Sequence, residues 1–274
     1  MKLKKLQNYL IAVDLDGTLV DGHGRNDKKS FRLLKKLSKS NYVVIATGRP
    51  WRISESFYQL LKLETPIINY NGSFVHNPSN PLFTEYHEVI PKEDMIKLTE
   101  AFNDSMTIFC EIRDDIYLNK EDQTINKYLY AMPNTKVTVG KFKDTLTCNP
   151  HGAIILLKSG FENKLKDYIN KTFPNTYAIR FWCSDGEHVV CEFHKKCASK
   201  LNALLYISKY YNIPFDKTIA IGDAENDLKM IEGVKYGALM GNSHPSLTTN
   251  VKRILPIEKH GVYYFLKSLN KKLF

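Results

Sequence analysis

The sequence predicts an α/β protein in which a parallel sheet is interrupted by an inserted α+β domain. Short apolar strands alternate with helical stretches at first, a breaker-rich segment with a different strand pattern follows, and the alternation returns after Cys197. Alternating strands and helices are typical of parallel sheets with right-handed crossover connections. We therefore predict a core domain formed by residues 1–80 and 194–274 and an inserted domain formed by residues 81–193.

Three strands and two helices are predicted in the first core segment. The strands are the short apolar runs Tyr9–Val13, Tyr42–Ala46 and Pro66–Tyr70. Asn26 or Asp27 is positioned to cap a helix that extends to about Ser40, and a second helix covers Trp51–Lys62. In open parallel sheets ligands bind beyond the carboxyl ends of the strands, so the residues that follow these strands are candidate site residues.

The inserted domain begins after the breaker cluster Asn77–Pro81. Its predicted strands are Thr107–Ile112, Ala153–Leu157, Ala178–Cys183 and Val189–Phe193, and its predicted helices are Lys92–Phe102 and Phe161–Thr172. Ser184–Gly186 is expected to form a hairpin turn between the last two strands. Strands and helices that mix without strict alternation indicate an α+β domain.

The second core segment restores the parallel pattern. Its predicted elements are a helix over Ala198–Tyr211, a strand over Thr218–Ile221, a helix over Glu225–Ile231, a strand over Tyr236–Met240 and a terminal helix over Val262–Leu269. The first of these helices is expected to bury an apolar stripe made of Leu201, Leu204, Leu205 and Tyr211.

Composition predicts a globular protein that works in the cytoplasm. The chain of 274 residues is 43% hydrophobic and 25% charged, which is ample for a packed core. No run of about 18 apolar residues occurs, so no membrane span is expected. The basic start Met1–Asn8 resembles the beginning of a signal peptide, but the apolar stretch after it is short and has no small-residue cleavage site.

The five cysteines do not form a recognisable framework. Their number is odd and no pair has Cys-x-x-Cys spacing, so neither a disulfide set nor a zinc site is favoured. We expect reduced thiols that are mostly buried.

The formal net charge of +10 allows two interpretations. One is a surface for nucleic acid or membrane, and the other is a basic protein whose field attracts small anionic substrates. The densest basic patch, Lys28–Lys39, carries Phe31, Leu34 and Leu37 at spacings of three, which favours one amphipathic helix with a solvated basic face. Because no RNA-binding signature or Cys/His finger accompanies the charge, no nucleic-acid partner is expected.

Two acidic clusters follow predicted strands. Asp14 and Asp16 end the first apolar run, and Asp223 and Asp227 follow the strand over Thr218–Ile221. Like charges are costly to bury together unless a cation offsets them, and Mg²⁺ prefers oxygen ligands. Helix capping is the alternative for the second cluster, since acids are common at helix N-termini. Taken together, the two clusters predict a divalent-metal site at one sheet edge.

Three further residues are candidates for binding a phosphoryl group. Thr47 and Gly48 follow the second strand, where a hydroxyl and a backbone N–H can donate to phosphoryl oxygens, although such a pair also simply turns a chain. Lys200 falls in the first turn of a predicted helix, where a cation opposes the helix dipole. It is either a tolerated surface lysine or a charge placed for a bound anion.

The order and spacing of these motifs resemble the haloacid dehalogenase superfamily, and in particular its Cof-like phosphatases. The matching segments are Asp14–Thr18, Thr47–Pro50, Asn71–Ser73, Ser199–Lys200, Gly222–Asp227, Met240–Ser243 and His260–Val262. The resemblance extends over most of the chain and implies a Rossmann-like parallel-sheet core with an inserted α+β cap. Ala224 stands where the family often has glycine and Ser243 where it usually has alanine, and neither departure touches a charged group.

The resemblance also implies a role for each motif residue. Asp14 is the implied nucleophile, which forms an aspartyl-phosphate, and Asp16 is the implied general acid and base. The implied Mg²⁺ ligands are the Asp14 carboxylate, the Asp16 backbone carbonyl, Asp223 and, through water, Asp227. The implied phosphate-binding groups are the Leu15 backbone N–H, Thr47, Gly48, Lys200 and Asn226.

The predicted function is therefore Mg²⁺-dependent hydrolysis of a small phosphorylated metabolite, such as a sugar phosphate, a nucleotide or a phosphorylated cofactor. A phosphomutase or phosphotransferase on the same core is one alternative. A non-catalytic, basic regulatory or nucleic-acid-binding protein is the other, although a protein that only binds has little use for mutually repulsive carboxylates. A monomer or a small homo-oligomer is expected.

Overall fold

The computed structural model of the protein describes residues 6–272, with side chains described to residue 269. The basic start at Met1–Asn8 therefore lies largely outside the described residues. The fold is α/β, as predicted, and its strands form a five-stranded, a six-stranded and a three-stranded sheet.

The first part of the chain supplies five strands and two helices. They are β1 (Leu10–Val13), α1 (Lys28–Leu37), β2 (Tyr42–Ile45), α2 (Trp51–Leu61), β3 (Ile67–Asn69), β4 (Phe74–His76) and β5 (Tyr86–His87). Asp27 caps α1, because its carboxylate accepts hydrogen bonds from the backbone N–H groups of Lys29 and Ser30. The helix ends three residues earlier than predicted, where the side chain of Asn41 donates to the Leu37 carbonyl.

α1 has the amphipathic character that its sequence predicts. Phe31 and Leu34 are buried, Leu37 is half-buried, and most of the lysine and arginine side chains on the helix are exposed. The basic patch is therefore carried on the outer face of a helix that packs through its apolar stripe.

The middle part of the chain forms a mixed α+β unit. Its elements are α3 (Lys92–Ala101), β6 (Met106–Ile112), β7 (Asp115–Leu118), α4 (Asn126–Leu129), β8 (Val137–Val139), α5 (Phe142–Thr145), β9 (Gly152–Lys158), α6 (Glu162–Thr172), β10 (Tyr177–Ser184) and β11 (His188–Lys195). The strands form one sheet in the order β10-β11-β9-β6-β7-β8, antiparallel except for the β7–β8 pair. β10 and β11 form the predicted hairpin, whereas the short strands β7 and β8 were not predicted.

The last part of the chain returns to the parallel pattern. Its elements are α7 (Lys200–Tyr210), β12 (Thr218–Gly222), α8 (Glu225–Glu232), β13 (Tyr236–Leu239), β14 (Lys252–Arg253) and α9 (Gly261–Lys272). The parallel sheet has the order β14-β13-β12-β1-β2. β1 therefore lies between β12 and β2, and the loops that follow these three strands leave the sheet at the same edge.

The third predicted parallel strand is only loosely part of this sheet. β3 meets β2 through a single parallel bridge between Ala46 and Ile68, supported by a hydrogen bond from the Thr47 N–H to the Ile68 carbonyl. It pairs antiparallel with β4 instead, in a three-stranded sheet with β5. The prediction of a third full parallel strand was therefore wrong. The chain turns back at Tyr70–Gly72 and continues into β4, a strand that the sequence analysis did not predict.

The chain divides into two compact units. Of the described residues, the first comprises 6–49, 54–86 and 199–272, and the second comprises 50–53 and 87–198. The six-stranded sheet belongs to the second unit, where buried side chains such as Phe142 and Phe193 pack it against α3, α5 and α6. The domain boundaries predicted from the sequence stay a prediction.

The apolar stripe of α7 is centred differently from the prediction. Ala203, Leu204 and Ile207 are buried, whereas Leu205 is 53% exposed. Buried positions spaced by one and by three or four residues define a single helix face, and Leu205 lies about 100° of helix rotation away from Leu204. The inclusion of Leu205 in the buried stripe was therefore wrong.

The cysteines are all free thiols, but most of them are not buried. Cys110 and Cys191 are buried in the second unit, whereas Cys148, Cys183 and Cys197 are exposed. The expectation of mostly buried thiols was wrong because only the two cysteines on the central strands β6 and β11 point into a core. Within residues 6–272, no helix has both the length and the apolar character that crossing a bilayer requires.

Candidate active site

The predicted acidic residues lie at neighbouring strand ends in the first unit. Asp14 directly follows β1, and its backbone N–H donates to the Ile221 carbonyl of β12 at 3.0 Å. Asp223 directly follows β12, and Asp227 lies in the first turn of α8. The parallel pairing of β1 with β12 thus brings together acids that are far apart in the sequence.

Three carboxylates converge at this edge. Oxygen atoms of Asp14, Asp223 and Asp227 all lie within 4.8 Å of one another. Asp14 and Asp227 are buried and Asp223 is half-buried. Asp16 is exposed, and its carboxylate is not part of this group.

Lys200 occupies the first position of α7 and neutralises part of this charge. Its ammonium donates to Asp14 Oδ1 and to Asp227 Oδ1, each at 2.6 Å, and its side chain is only 1% exposed. The interpretation of Lys200 as a surface lysine is thereby excluded. The two carboxylates offset the unfavourable interaction of a cation with the helix N-terminus.

Asp227 performs two tasks with its two oxygens. Oδ2 accepts hydrogen bonds from the backbone N–H groups of Asp223 and Ala224, at 3.0 and 3.1 Å, and so caps the start of α8. Oδ1 accepts from Lys200. Helix capping and membership of the acidic cluster, which the sequence analysis treated as alternatives, therefore coexist in one side chain.

Burial and mutual repulsion shift the titration of this cluster. Burial, and then the nearby carboxylates Asp227 and Asp223, raise the pKa of Asp14 well above its ordinary value, although Lys200 opposes the shift. Burial and Asp227 raise the pKa of Asp223 to about 6. Burial alone would lower the pKa of Lys200, but Asp14 and Asp227 outweigh it and raise that pKa. Three acids facing one ammonium leave an excess of negative charge, which either a bound proton or a further cation can offset.

The loop after Asp14 is shaped to hold Asp223. Gly17 has φ +77°, and a Cβ at this position would lie 2.1 Å from Asp223 Oδ2. Thr18 Oγ1 donates to Asp223 Oδ1 at 3.0 Å. Thr18 received no role from the sequence analysis, and its place directly after Asp16-Gly17 was the available signal.

Asp16 is held apart from the cluster by Arg49. Arg49 donates from Nε to Asp16 Oδ2 at 2.8 Å and from Nη2 to Asp16 Oδ1 at 2.5 Å. The backbone does not stay extended beyond Asp14, because the carbonyl of the buried Leu15 accepts N–H bonds from Thr18, Leu19 and Val20. The alternation of an extended strand, which would put Asp14 and Asp16 on one side, therefore ends at this turn.

The other predicted phosphate-binding residues line loops at the same edge of the sheet. Thr47 is fully buried and its Oγ1 accepts the Arg49 N–H at 3.1 Å, whereas Gly48 is exposed. Asn71, in a left-handed conformation, accepts at Oδ1 from Asn226 Nδ2 at 2.8 Å. A Cβ on Gly48 would lie 3.1 Å from the same Asn71 oxygen, so Asn71 brings the Thr47–Gly48 loop close to α8.

The sequence profile of the haloacid dehalogenase-like hydrolases matches residues 11–266. The chain belongs to this family. The haloacid dehalogenase-like chain is 33% identical over 264 residues to the 5-amino-6-(5-phospho-D-ribitylamino)uracil phosphatase YitU of Bacillus subtilis, an alignment that covers 94% of this chain and 96% of YitU. It is 25% identical over 258 residues to the mannosyl-3-phosphoglycerate phosphatase of Pyrococcus furiosus, covering 91% and 98% of the two chains.

Solved structures of the same family share the fold. A haloacid dehalogenase-like hydrolase from Bacteroides thetaiotaomicron has a TM-score of 0.79 at 19% identity and covers 96% of this chain and 100% of its own. The subclass IIB sugar phosphatase BT4131 has a TM-score of 0.73 at 18% identity, with coverages of 96% and 100%. The family match, the phosphatase relatives and the shared fold together show that the chain is a phosphoric monoester hydrolase of the haloacid dehalogenase superfamily, in its Cof-like group.

Proposed function

We propose that this hydrolase is a Mg²⁺-dependent phosphatase that cleaves a small phosphorylated metabolite through an aspartyl-phosphate on Asp14. The observation that carries the proposal is the cluster of Asp14, Asp223 and Asp227, in which the buried Lys200 ammonium donates to Asp14 and Asp227. Carboxylates that are costly to bury persist where their charge is used.

The residues of the cluster fit a divalent metal ion. Mg²⁺ binds oxygen ligands, retains several waters and is commonly held by one or two carboxylates together with substrate phosphate. The Asp14 and Asp223 carboxylates and the Asp16 backbone carbonyl would hold it, with Asp227 acting through water. When bound, the metal would neutralise charge on the transferred phosphoryl group.

The protein's own residues would perform the two displacement steps. In the first, an Asp14 carboxylate oxygen attacks phosphorus, the bond between phosphorus and the leaving oxygen breaks, and Asp16 gives its proton to that oxygen. In the second, Asp16 takes a proton from water, the water oxygen attacks phosphorus, and the bond to Asp14 breaks to release inorganic phosphate. Asp16 must leave Arg49 to do this, because both of its oxygens are occupied in the ion pair.

Positioning of the phosphoryl oxygens would fall to groups at the same sheet edge. Lys200, the Thr47 hydroxyl, the Gly48 and Leu15 backbone N–H groups and Asn226 are the proposed donors. Asn226 is already oriented by its hydrogen bond to Asn71. In phosphoryl transfer such positioning and charge neutralisation supply most of the catalysis.

We propose that the substrate is a sugar phosphate, a nucleotide or a phosphorylated cofactor precursor, and that the inserted unit confers substrate specificity. The phosphoribitylaminouracil named for YitU is the first compound to test, because that relative is 33% identical over nearly the whole chain. All five cysteines are free thiols, which agrees with a protein that functions in the reducing cytoplasm.

The deciding experiment is a panel of phosphorylated metabolites incubated with the protein, with and without Mg²⁺, and followed by phosphorus NMR. We expect Mg²⁺-dependent release of inorganic phosphate. The Asp14→Asn variant, which keeps an oxygen for Lys200, should lose on the order of 10⁴-fold or more in kcat while its melting temperature changes little. Isomerised phosphate esters in place of inorganic phosphate would identify a phosphomutase, and unchanged turnover in Asp14→Asn would refute the nucleophile assignment.

A further inference from the structure

A cavity in the first unit is separate from the acidic site. Its volume is about 910 Å³, and none of the proposed catalytic, metal-binding or phosphate-binding residues lines it. This volume is within the range of sites that hold small organic ligands. One wall is α1, and the other walls come from the loop before α1, from α2 and from the segment that precedes α9.

The cavity combines an apolar surface with cations. Phe31, Leu60 and Ile257 contribute its large apolar side chains, and Leu60 is 47% exposed although it is a large hydrophobic residue. Lys28, Arg32 and Lys35 also line it. With Phe31, they follow the spacing of three, four and seven residues that places side chains on one helix face.

These three cations are not neutralised by neighbouring acids. Among the side chains that the structure describes, up to residue 269, Lys28, Arg32 and Lys35 form no ion pair. In contrast, Arg25 and His260, which line the same cavity, lie 2.8 Å from the carboxylates of Asp21 and Asp27 respectively. Glu258 is the remaining acidic residue of the lining. With histidine neutral, the lining holds four cations, Arg25, Lys28, Arg32 and Lys35, and three carboxylates, so its net charge is positive.

Asn26 adds a polar acceptor to the lining. Its side-chain Oδ1 is buried, and the described residues offer it no hydrogen-bond partner. A buried acceptor without a donor is costly, and rotation of the Asn26 side chain toward the cavity would let a ligand hydroxyl or amino group satisfy it.

We propose that this cavity binds a nucleoside phosphate at a site distinct from the catalytic one. The base would pack on Phe31, Leu60 and Ile257. The phosphate would bind between Arg32 and Lys35, with Lys28 nearby, and a ribose hydroxyl would donate to Asn26. A flat apolar ring, an anionic group and a hydrogen-bond donor are the three features that the lining complements.

Calorimetric titration of the full chain with AMP, in EDTA to prevent turnover, tests this proposal. We expect saturable binding that is weakened at least about tenfold by Arg32→Gln and by Lys35→Gln, since each removes a charged hydrogen bond to phosphate. Lys29→Gln and Lys36→Gln are matched controls, because these exposed lysines lie on the same helix outside the cavity. Leu60→Ser should weaken the binding of AMP but not of inorganic phosphate.

Several outcomes would overturn the proposal. Absence of saturable AMP binding to the wild-type protein would do so, and so would equal losses in the cavity variants and their controls, which would indicate diffuse attraction to a basic surface. If inorganic phosphate bound as tightly as AMP, the nucleoside would contribute nothing to binding, and the proposal of a nucleoside phosphate would be overturned. Asp14→Asn should leave AMP binding unchanged, and a loss there would assign AMP to the acidic site. None of these readouts depends on hydrolysis, so they are independent of the proposed phosphatase activity.

Discussion

Lys200 Nζ lies 2.6 Å from Asp14 Oδ1 and joins the N-terminus of α7 to the end of β1. The same ammonium lies 2.6 Å from Asp227 Oδ1, so one cation serves two buried anions. Breaking a buried ion pair from one side is much more costly than the pair is worth, because it leaves the remaining charge without compensation. Lys200 is therefore a buried counter-ion that stabilises the site.

Replacement of Lys200 by Met should lower the free energy of unfolding by about 3–5 kcal/mol at pH 7. Urea denaturation in EDTA measures this loss. The loss should shrink at acidic pH: Lys200 lowers the pKa of Asp14, so without it that pKa rises further, and the folded state then binds a proton that relieves the uncompensated charge. Lys209→Met, an exposed position on the same helix, is the control. A loss below about 1 kcal/mol would contradict the role of Lys200 as a buried counter-ion.

Asp16 and Arg49 form a two-point ion pair, which would have to open for Asp16 to act as the proposed general acid. We expect Asp16→Asn to slow turnover by about 10²–10⁴-fold, with the largest loss for poor leaving groups, which need the proton most. Rates for p-nitrophenyl phosphate and for an alkyl phosphate measure the difference. Equal losses for both substrates would argue against proton donation by Asp16.

Arg49 is expected to act through Asp16, because it holds the Asp16 carboxylate in a defined position apart from the acidic cluster until the ion pair opens. Arg49→Met should lower kcat less than Asp16→Asn does. If Arg49 acts only by placing the Asp16 carboxylate, the double variant should be no slower than Asp16→Asn alone, because the two effects are not independent. Additive losses in this double-mutant cycle would instead give Arg49 a separate interaction with the substrate.

The raised pKa of Asp223 predicts how metal binding depends on pH. This pKa is about 6, above the value of 3.8 for an unperturbed aspartate, so the folded protein holds a proton that the unfolded chain releases at lower pH. Its contribution to stability is therefore present below about pH 4 and is lost as pH rises through about 6. Mg²⁺ competes with that proton, so the increase in melting temperature caused by Mg²⁺ should be small at pH 5 and larger at pH 7. Asp223→Asn should reduce this pH dependence, part of which remains because the pKa of Asp14 is also raised, and an equal Mg²⁺ effect at both pH values in the wild-type protein would refute the assignment.

Much of the fold follows from local patterns in the sequence. The strands before Asp14 and Asp223 are short apolar runs, and their alternation with helices specifies a parallel sheet. The errors occur where tertiary contacts decide. β3 pairs antiparallel with β4 rather than forming a full parallel pair with β2. Leu205 lies on the exposed side of α7, whose buried face is set by packing.

In the candidate site too, some features follow from the local sequence and others depend on tertiary contacts. Local sequence places acids at strand ends, but it does not show that Asp227 both caps α8 and accepts from Lys200. It also does not pair Asp16 with Arg49 or Thr18 with Asp223, because each pair joins loops that meet only in the folded chain. Hydrogen-bond partners of this kind depend on three-dimensional proximity and have no signature in spacing.

Gly17 and Gly24 provide a matched pair for testing how the loop after Asp14 holds Asp223. Both have positive φ, +77° and +75°, so replacement by Ala should impose a similar backbone cost of about 1–2 kcal/mol at each position. A Cβ at Gly17 would lie 2.1 Å from Asp223 Oδ2, whereas one at Gly24 would have no atom within 4 Å. Gly17→Ala must therefore displace the Asp223 carboxylate, and we expect it to weaken activation by Mg²⁺ at least about tenfold, whereas Gly24→Ala should not. Activity measured against Mg²⁺ concentration decides the matter, and equal Mg²⁺ requirements in the two variants would show that the contact between Gly17 and Asp223 does not position the metal ligand.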